Sequence, residues 1–146
     1  MLEQECLRQC MLWNKGQMVL GHSDYHYQHE PILYGWKAGG THYFTSDRTK
    51  TTVFDFKKPL RNDIHPTMKP VELWAEFINN SSKIGELVID SFLGSGTTMV
   101  ASHQLKRICY ATELDPIYCN AIIDRMLKLD PSLIVKKNGE IYKKEE

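Results

Sequence analysis

The amino-acid sequence predicts an α/β fold organised around a β-α-β unit with parallel strands. Three observations point there. Leu87-Val88-Ile89 and Ile108-Cys109-Tyr110-Ala111 are short apolar runs of strand length. Gly94-Ser95-Gly96 makes a turn after the first run, and Thr97 to Leu105 then reads as a helix. Two strands joined through one helix run parallel, with a right-handed crossover.

The flanking elements follow in order. Residues 1–64 are aromatic, histidine-rich and irregular, with strand-like runs at Cys10-Met11-Leu12-Trp13 and Pro31-Ile32-Leu33-Tyr34-Gly35-Trp36. Between these runs Gly21 to Glu30 reads as a polar loop, and a second loop extends from Ala38 to Ile64. A loop of that length is functional or mobile. Pro70 suits the first turn of a helix, where its missing N–H has no partner to lose. Val71, Leu73, Trp74, Phe77 and Ile78 then give an apolar stripe, closed by Asn79-Asn80-Ser81-Ser82. Asp115-Pro116 reads as cap and N1 proline of a last helix, with Tyr118, Ala121, Ile122, Met126 and Leu129 as its buried face. The tail is charged and expected to fray. The chain thus divides into 1–64, 65–130 and 131–146.

Composition narrows the class. The 146 residues are 42% hydrophobic and 25% charged, which suits one globular domain. Lys and Arg number 18 and so do Asp and Glu, so any nucleic-acid face must be a local patch. No apolar run reaches the ~20 residues needed to cross a bilayer, and the N-terminal residues lack a secretory pattern. Cys6, Cys10, Cys109 and Cys119 include no C-x-x-C pair, so neither a metal site nor a disulfide framework is expected. These features favour a cytoplasmic setting.

Asp90-Ser91-Phe92-Leu93-Gly94-Ser95-Gly96-Thr97-Thr98 lies where a strand becomes a helix. Ligands of open α/β sheets bind at such strand ends. A phosphate loop needs a Lys after the last glycine, and none is there. A dinucleotide fingerprint needs a third small residue where Met99 stands. Asp90 closes the first strand and Glu113 the second, where an acid usually meets ribose hydroxyls. A ribose-bearing, positively charged ligand without a pyrophosphate fits. S-adenosyl-L-methionine is such a ligand; the alternative is a plain turn beside a solvated acid.

Three strings together resemble a known family: His65-Pro66-Thr67-Met68-Lys69-Pro70, the Asp90–Thr98 string, and Glu113-Leu114-Asp115-Pro116-Ile117-Tyr118. They look like consecutive motifs of the DNA amino-methyltransferases, which methylate N6 of adenine or N4 of cytosine. The order resembles the circularly permuted beta group. Trp13-Asn14-Lys15 and His29-Glu30-Pro31-Ile32-Leu33-Tyr34-Gly35 resemble that group's late strands. The resemblance implies a partial Rossmann-like S-adenosylmethionine-dependent methyltransferase sheet with helices on both faces. It implies late strands and loops over 1–64 and a cofactor region over 65–130. It also implies that Asp90, Phe92, Gly94, Ser95, Gly96, Thr97 and Thr98 enclose the methionine part of the cofactor and that Glu113 holds the ribose. It further implies that Thr67 and Lys69 approach the cofactor from the preceding helix start and that His65 belongs to the same site, although Lys69 also reads as a solvated lysine and His65 as a loop histidine that only packs or hydrogen-bonds. Ala111 stands where the family often has glycine, a small departure.

The family's catalytic tetrapeptide, Asp/Ser-Pro-Pro-Tyr/Phe, is a larger departure, because no such run occurs here and no catalytic residue is assigned. Asp115-Pro116-Ile117-Tyr118 is rejected as that motif, since its positions read as helix cap and helix face. The expectation is therefore a C-terminal part of a larger enzyme, inactive alone. Its open sheet would be completed by a second copy or by a chain carrying the missing strands. A catalytically silent cofactor-binding module, half of a split enzyme, and a methyltransferase of RNA or a small molecule are the alternatives. DNA is the expected partner. Arg48, Lys50, Lys57, Lys58, Arg61 and Lys69 outnumber Asp55 and Asp63, and either meet phosphates or are simply solvated. Trp13, Tyr25, Tyr27 and Tyr34 line a base pocket or pack in the core. Cys109 and Cys119 are bystanders.

Overall fold

The computed structural model describes residues 6–58 and 68–142. Ten elements follow in chain order: β1 (Leu7–Val19), β2 (Tyr27–Gly35), β3 (Val53–Asp55), α1 (Val71–Ser81), β4 (Leu87–Asp90), α2 (Thr97–Gln104), β5 (Ile108–Ala111), α3 (Pro116–Leu129), β6 (Lys136–Lys137) and β7 (Glu140–Ile141). The expected parallel unit is present, with Leu87 opposite Ile108 and Asp90 opposite Ala111.

The N-terminal part holds more strand than its sequence predicts. β1 and β2 form a long antiparallel hairpin with Trp13 opposite Glu30, so the expected polar loop is strand from Tyr27 onward. Its polar residues sit on a half-solvated ribbon, where Gln28 Nε2 donates to Asn14 Oδ1 at 3.1 Å. The second long loop contains β3, which pairs parallel to β1 with Phe54 opposite Trp13. Three residues are too few to show a period. The tail departs too. Asn138 and Gly139 both take positive φ (54° and 88°) and close the β6–β7 hairpin. Asn-Gly is the preferred pair for such a turn, so this signal was present in the sequence.

Two cores result. Alternation along β1 buries Met11, Trp13 and Lys15 on one face. That sheet meets α1 through Phe54 and Phe77, whose rings are 4.8 Å apart in a T-shaped arrangement. Leu93, Val100, Ile122 and Met126 make the second core, under the glycine turn and between α2 and α3. Asp115 Oδ1 accepts from Ile117 N at 2.8 Å and so caps α3, as its sequence predicts. Leu129, expected to be buried, lies exposed at the last residue of that helix.

The two larger sheets, β2-β1-β3 and β4-β5, share no strand pairing. An apolar groove of about 410 Å³ separates them, lined by Ile32 and Leu33 of β2, Leu87 and Val88 of β4, and Trp74 and Phe77 of α1. The outer edges of β2 and β4 carry no partner among the described residues. Leu87, Ile89, Ile108 and Tyr110 share one face of the β4–β5 pair and all are exposed, with Ile89 at 70%. The described residues therefore supply no helical layer on that face.

Candidate functional site

The site forms where β4 and β5 end. Thr112 N donates to Asp90 O at 3.0 Å and Leu93 N to Thr112 O at 2.9 Å, lacing the two strand ends together. Gly94 and Gly96 take φ of +55° and +79°, in the left-handed region that favours glycine. The chain therefore turns sharply into α2. The N-cap of α2 is Gly96, and no side chain caps it. The cap residue thus offers the first amides of α2 no side-chain acceptor, and these amides carry the positive end of the helix dipole.

A cavity of about 490 Å³ opens at this turn, within the range of small-ligand sites. Its walls include Lys69, Asp90, Phe92, Gly94, Ser95, Thr97 and Glu113, seven of the residues expected from the sequence. Gly96 and Thr98 stand behind the wall, Gly96 as the helix cap and Thr98 through its hydroxyl, which donates to Asp90 Oδ2 at 2.6 Å. His65 and Thr67 lie outside the described residues.

Both acids also organise the backbone. Asp90 Oδ1 accepts from Phe92 N at 2.9 Å. Glu113 Oε2 accepts from Gly94 N at 2.6 Å, and its Oε1 accepts from Asp115 N at 3.0 Å. A carboxylate offers about four lone-pair directions, and Asp90 spends two of them on Phe92 N and Thr98 Oγ1. Phe92 is 90% exposed at the turn, on the cavity wall.

Lys69 behaves differently from a free pocket cation. Its carbonyl accepts from Thr97 Oγ1 at 3.3 Å, while its ammonium turns to Glu30 and lies 5.2 Å from the centre of the Trp13 ring. Cavity charge is therefore dominated by two carboxylates, which favours a cationic ligand.

Two participants escaped the sequence reading. Trp74 reads only as part of the α1 stripe, yet it lines both the cavity and the apolar groove. Arg125 lies on α3, where burial pushes its guanidinium pKa down. Its Nη1 donates to Ser95 O at 2.7 Å, across thirty positions of chain that no local motif links.

The basic loop is partly engaged. Lys50 Nζ lies 2.7 Å from Glu76 Oε1 and 3.4 Å from Asp47 Oδ2, pinning the loop to α1. The Lys50 hydrogen bond holds the Glu76 carboxyl below its ordinary 4.5. A lowered folded-state pKa adds stability above the unfolded value, and that stability is lost as pH falls through the folded one. By NMR titration Glu76 is expected to have its midpoint below 4.5, and Lys50→Met to raise it. The stability advantage of wild type over this variant should shrink on acidification. Burial also pushes the Cys109 thiol up, which suits its reading as a bystander.

Comparison with known proteins agrees with this geometry. A family description, DNA methylase, matches residues 3–124. The chain is 29% identical over 117 residues to the type II methyltransferase M.Cfr9I of Citrobacter freundii, covering 80% of this chain and 37% of that protein. It is 34% identical over 86 residues to M1.MboII of Moraxella bovis, covering 59% and 32%. The chain thus spans about a third of the length of these relatives. Among solved structures, M1.HpyAVI in complex with SAM superposes with a TM-score of 0.70 at 24% identity, over 82% of this chain and 61% of that one. The parallel β4–β5 unit with its glycine turn accordingly belongs to a fold shared with M1.HpyAVI, and the chain belongs to the DNA methylase family of adenine-N6 and cytosine-N4 methyltransferases.

Proposed function

We propose that this chain binds S-adenosylmethionine at the glycine turn. It would thereby form the cofactor-binding part of an enzyme that methylates the exocyclic amine of adenine or cytosine in DNA. One observation carries the reading: acids from two adjacent strand ends flank a glycine turn in a single cavity. Glu113 suits ribose hydroxyls, and Asp90 with Phe92 suits the amino and sulfonium groups. The bound nucleoside supplies an electrophilic methyl on sulfonium, open to direct attack by the target amine. The chain's own residues orient it and keep the turn closed, a contribution of alignment and electrostatics.

The proposal includes a partner segment. The groove between β2 and β4 presents two edges that are unpaired among the described residues, above an apolar floor from α1. Extended polypeptide paired to those edges would satisfy them. A strand laid parallel to β4 would end at Trp74 and the cavity, which is where a catalytic tetrapeptide is needed. A cytoplasmic setting, where DNA is at hand, belongs to the same proposal.

Calorimetric titration with S-adenosylmethionine tests the first part, and a DNA methyl-transfer assay the second. We expect saturable binding to the 146-residue chain and no transfer by that chain alone. Absence of binding heat overturns the cofactor reading, and turnover by the chain alone overturns the completed-sheet reading.

A further inference from the structure

The glycine turn and the β1–β2 hairpin belong to separate sheets, so no ladder of strand hydrogen bonds joins them. A chain of side-chain bonds does. Arg125 Nη1 donates to Ser95 O at 2.7 Å and to Thr97 Oγ1 at 3.3 Å. Thr97 Oγ1 donates onward to Lys69 O at 3.3 Å. The Lys69 ammonium donates to Glu30 Oε2 of β2. Glu30 Oε1 lies 3.7 Å from the ammonium of Lys15, which is 5% exposed on β1.

The proton count closes. A threonine hydroxyl has one donor and two acceptor directions. Thr97 spends its proton on Lys69 O and accepts from Arg125, which leaves one direction for Ser95 Oγ at 3.1 Å. The chain is thus polarised in one sense from α3 to residue 69. At its far end one carboxylate serves two ammonium groups. Lys15, being buried, depends on Glu30, so Lys69 cannot move without redistributing that charge.

We infer that Arg125, Thr97, Lys69 and Glu30 form a positioning relay that couples occupancy of the cofactor cavity to the β1–β2 hairpin. The inference rests on the cofactor reading above. A ligand seated at the turn displaces Ser95 and Thr97, and with them the Lys69 carbonyl. The Lys69 ammonium then shifts over the face of Trp13, 5.2 Å away. Coupling between two sites is reciprocal, so a perturbation of Glu30 alters affinity in a cavity that Glu30 does not line.

Trp13 supplies the readout. The chain is labelled with 5-fluorotryptophan, its three tryptophan resonances are assigned by Trp→Phe substitution, and S-adenosylmethionine is added to saturation. In wild type the Trp74 resonance, on the cavity wall, and the Trp13 resonance both move. In Thr97→Val, Trp74 moves and Trp13 does not; Thr97→Ser, which keeps the hydroxyl, restores the Trp13 response. Glu30→Gln weakens binding roughly fivefold, the scale of one hydrogen bond, and silences Trp13 independently of any change at Thr97. A Trp13 resonance that stays still in wild type while Trp74 moves overturns the relay. So does one that still moves in Thr97→Val. Failure of the cofactor reading looks different: no heat of binding and no movement of Trp74.

Discussion

Glu113→Ala is expected to weaken S-adenosylmethionine binding by about a hundredfold or more, the loss of one or two charge-assisted hydrogen bonds. The residue acts twice in the site. Its carboxylate holds Gly94 N at 2.6 Å and Asp115 N at 3.0 Å, and it faces the cavity from the end of β5. Alanine removes the proposed ribose acceptor and also frees the turn that shapes the cavity. Ligand choice separates these effects from those of Asp90. 5′-Methylthioadenosine has the ribose but neither the amino acid nor the sulfonium charge. Glu113→Ala should weaken it as much as S-adenosylmethionine. Asp90→Ala should weaken S-adenosylmethionine more, because the proposal sets Asp90 against the amino and sulfonium groups. Calorimetric affinities of both variants for both ligands decide it. Unchanged affinity of Glu113→Ala for either compound contradicts the ribose role.

The same pair of acids shows what the sequence reveals and what it hides. An acid closing each of two parallel strands is legible from spacing alone, because strand direction and the glycine turn fix where the strands end. That the acids also bind backbone amides is not legible. Those bonds depend on how two turns fold against each other, and Gly94 is nineteen positions from Glu113. Trp74 lay in plain view but carried a helical period, which satisfies the core reading before any site is considered. Arg125 carried no signal at all, since its acceptor at Ser95 is reached only through packing of α3 on α2.

Local chemistry explains the pattern for the elements. α3 was readable because Asp115-Pro116 marks its start and its apolar period runs for several turns. β3 was not, because three residues in a polar segment give no period, and they become a strand only by pairing with β1. The β6–β7 hairpin carries an Asn-Gly signal, but it sits in a charged tail without an apolar period on either side. The basic loop shows the limit of counting charges. Lys50 contributes to a positive sum in the sequence, yet in the fold it pairs with both Glu76 and Asp47. A phosphate contact there would have to compete with those carboxylates.

Gly96→Ala is expected to destabilise the chain by roughly 2–3 kcal/mol, combining the left-handed backbone cost with overpacking. Gly96 has φ +79°, and a Cβ built on it lies 3.1 Å from both Cγ1 and Cγ2 of Ile122. Ile122 is 5% exposed in the core under the turn, so it has little room to yield. Gly85 isolates the first contribution. Its φ is +83°, nearly the same, but a Cβ there meets nothing within 4 Å. Gly85→Ala should therefore cost about 1–2 kcal/mol, the backbone share alone. The difference between the two variants then measures how tightly Ile122 packs on the turn. Thermal unfolding reads both, with Gly96→Ala lowering Tm by about 5–10 °C. Equal losses at the two positions would mean that Ile122 moves aside freely, and the turn would then owe its shape to the Glu113 and Arg125 bonds more than to the core beneath it.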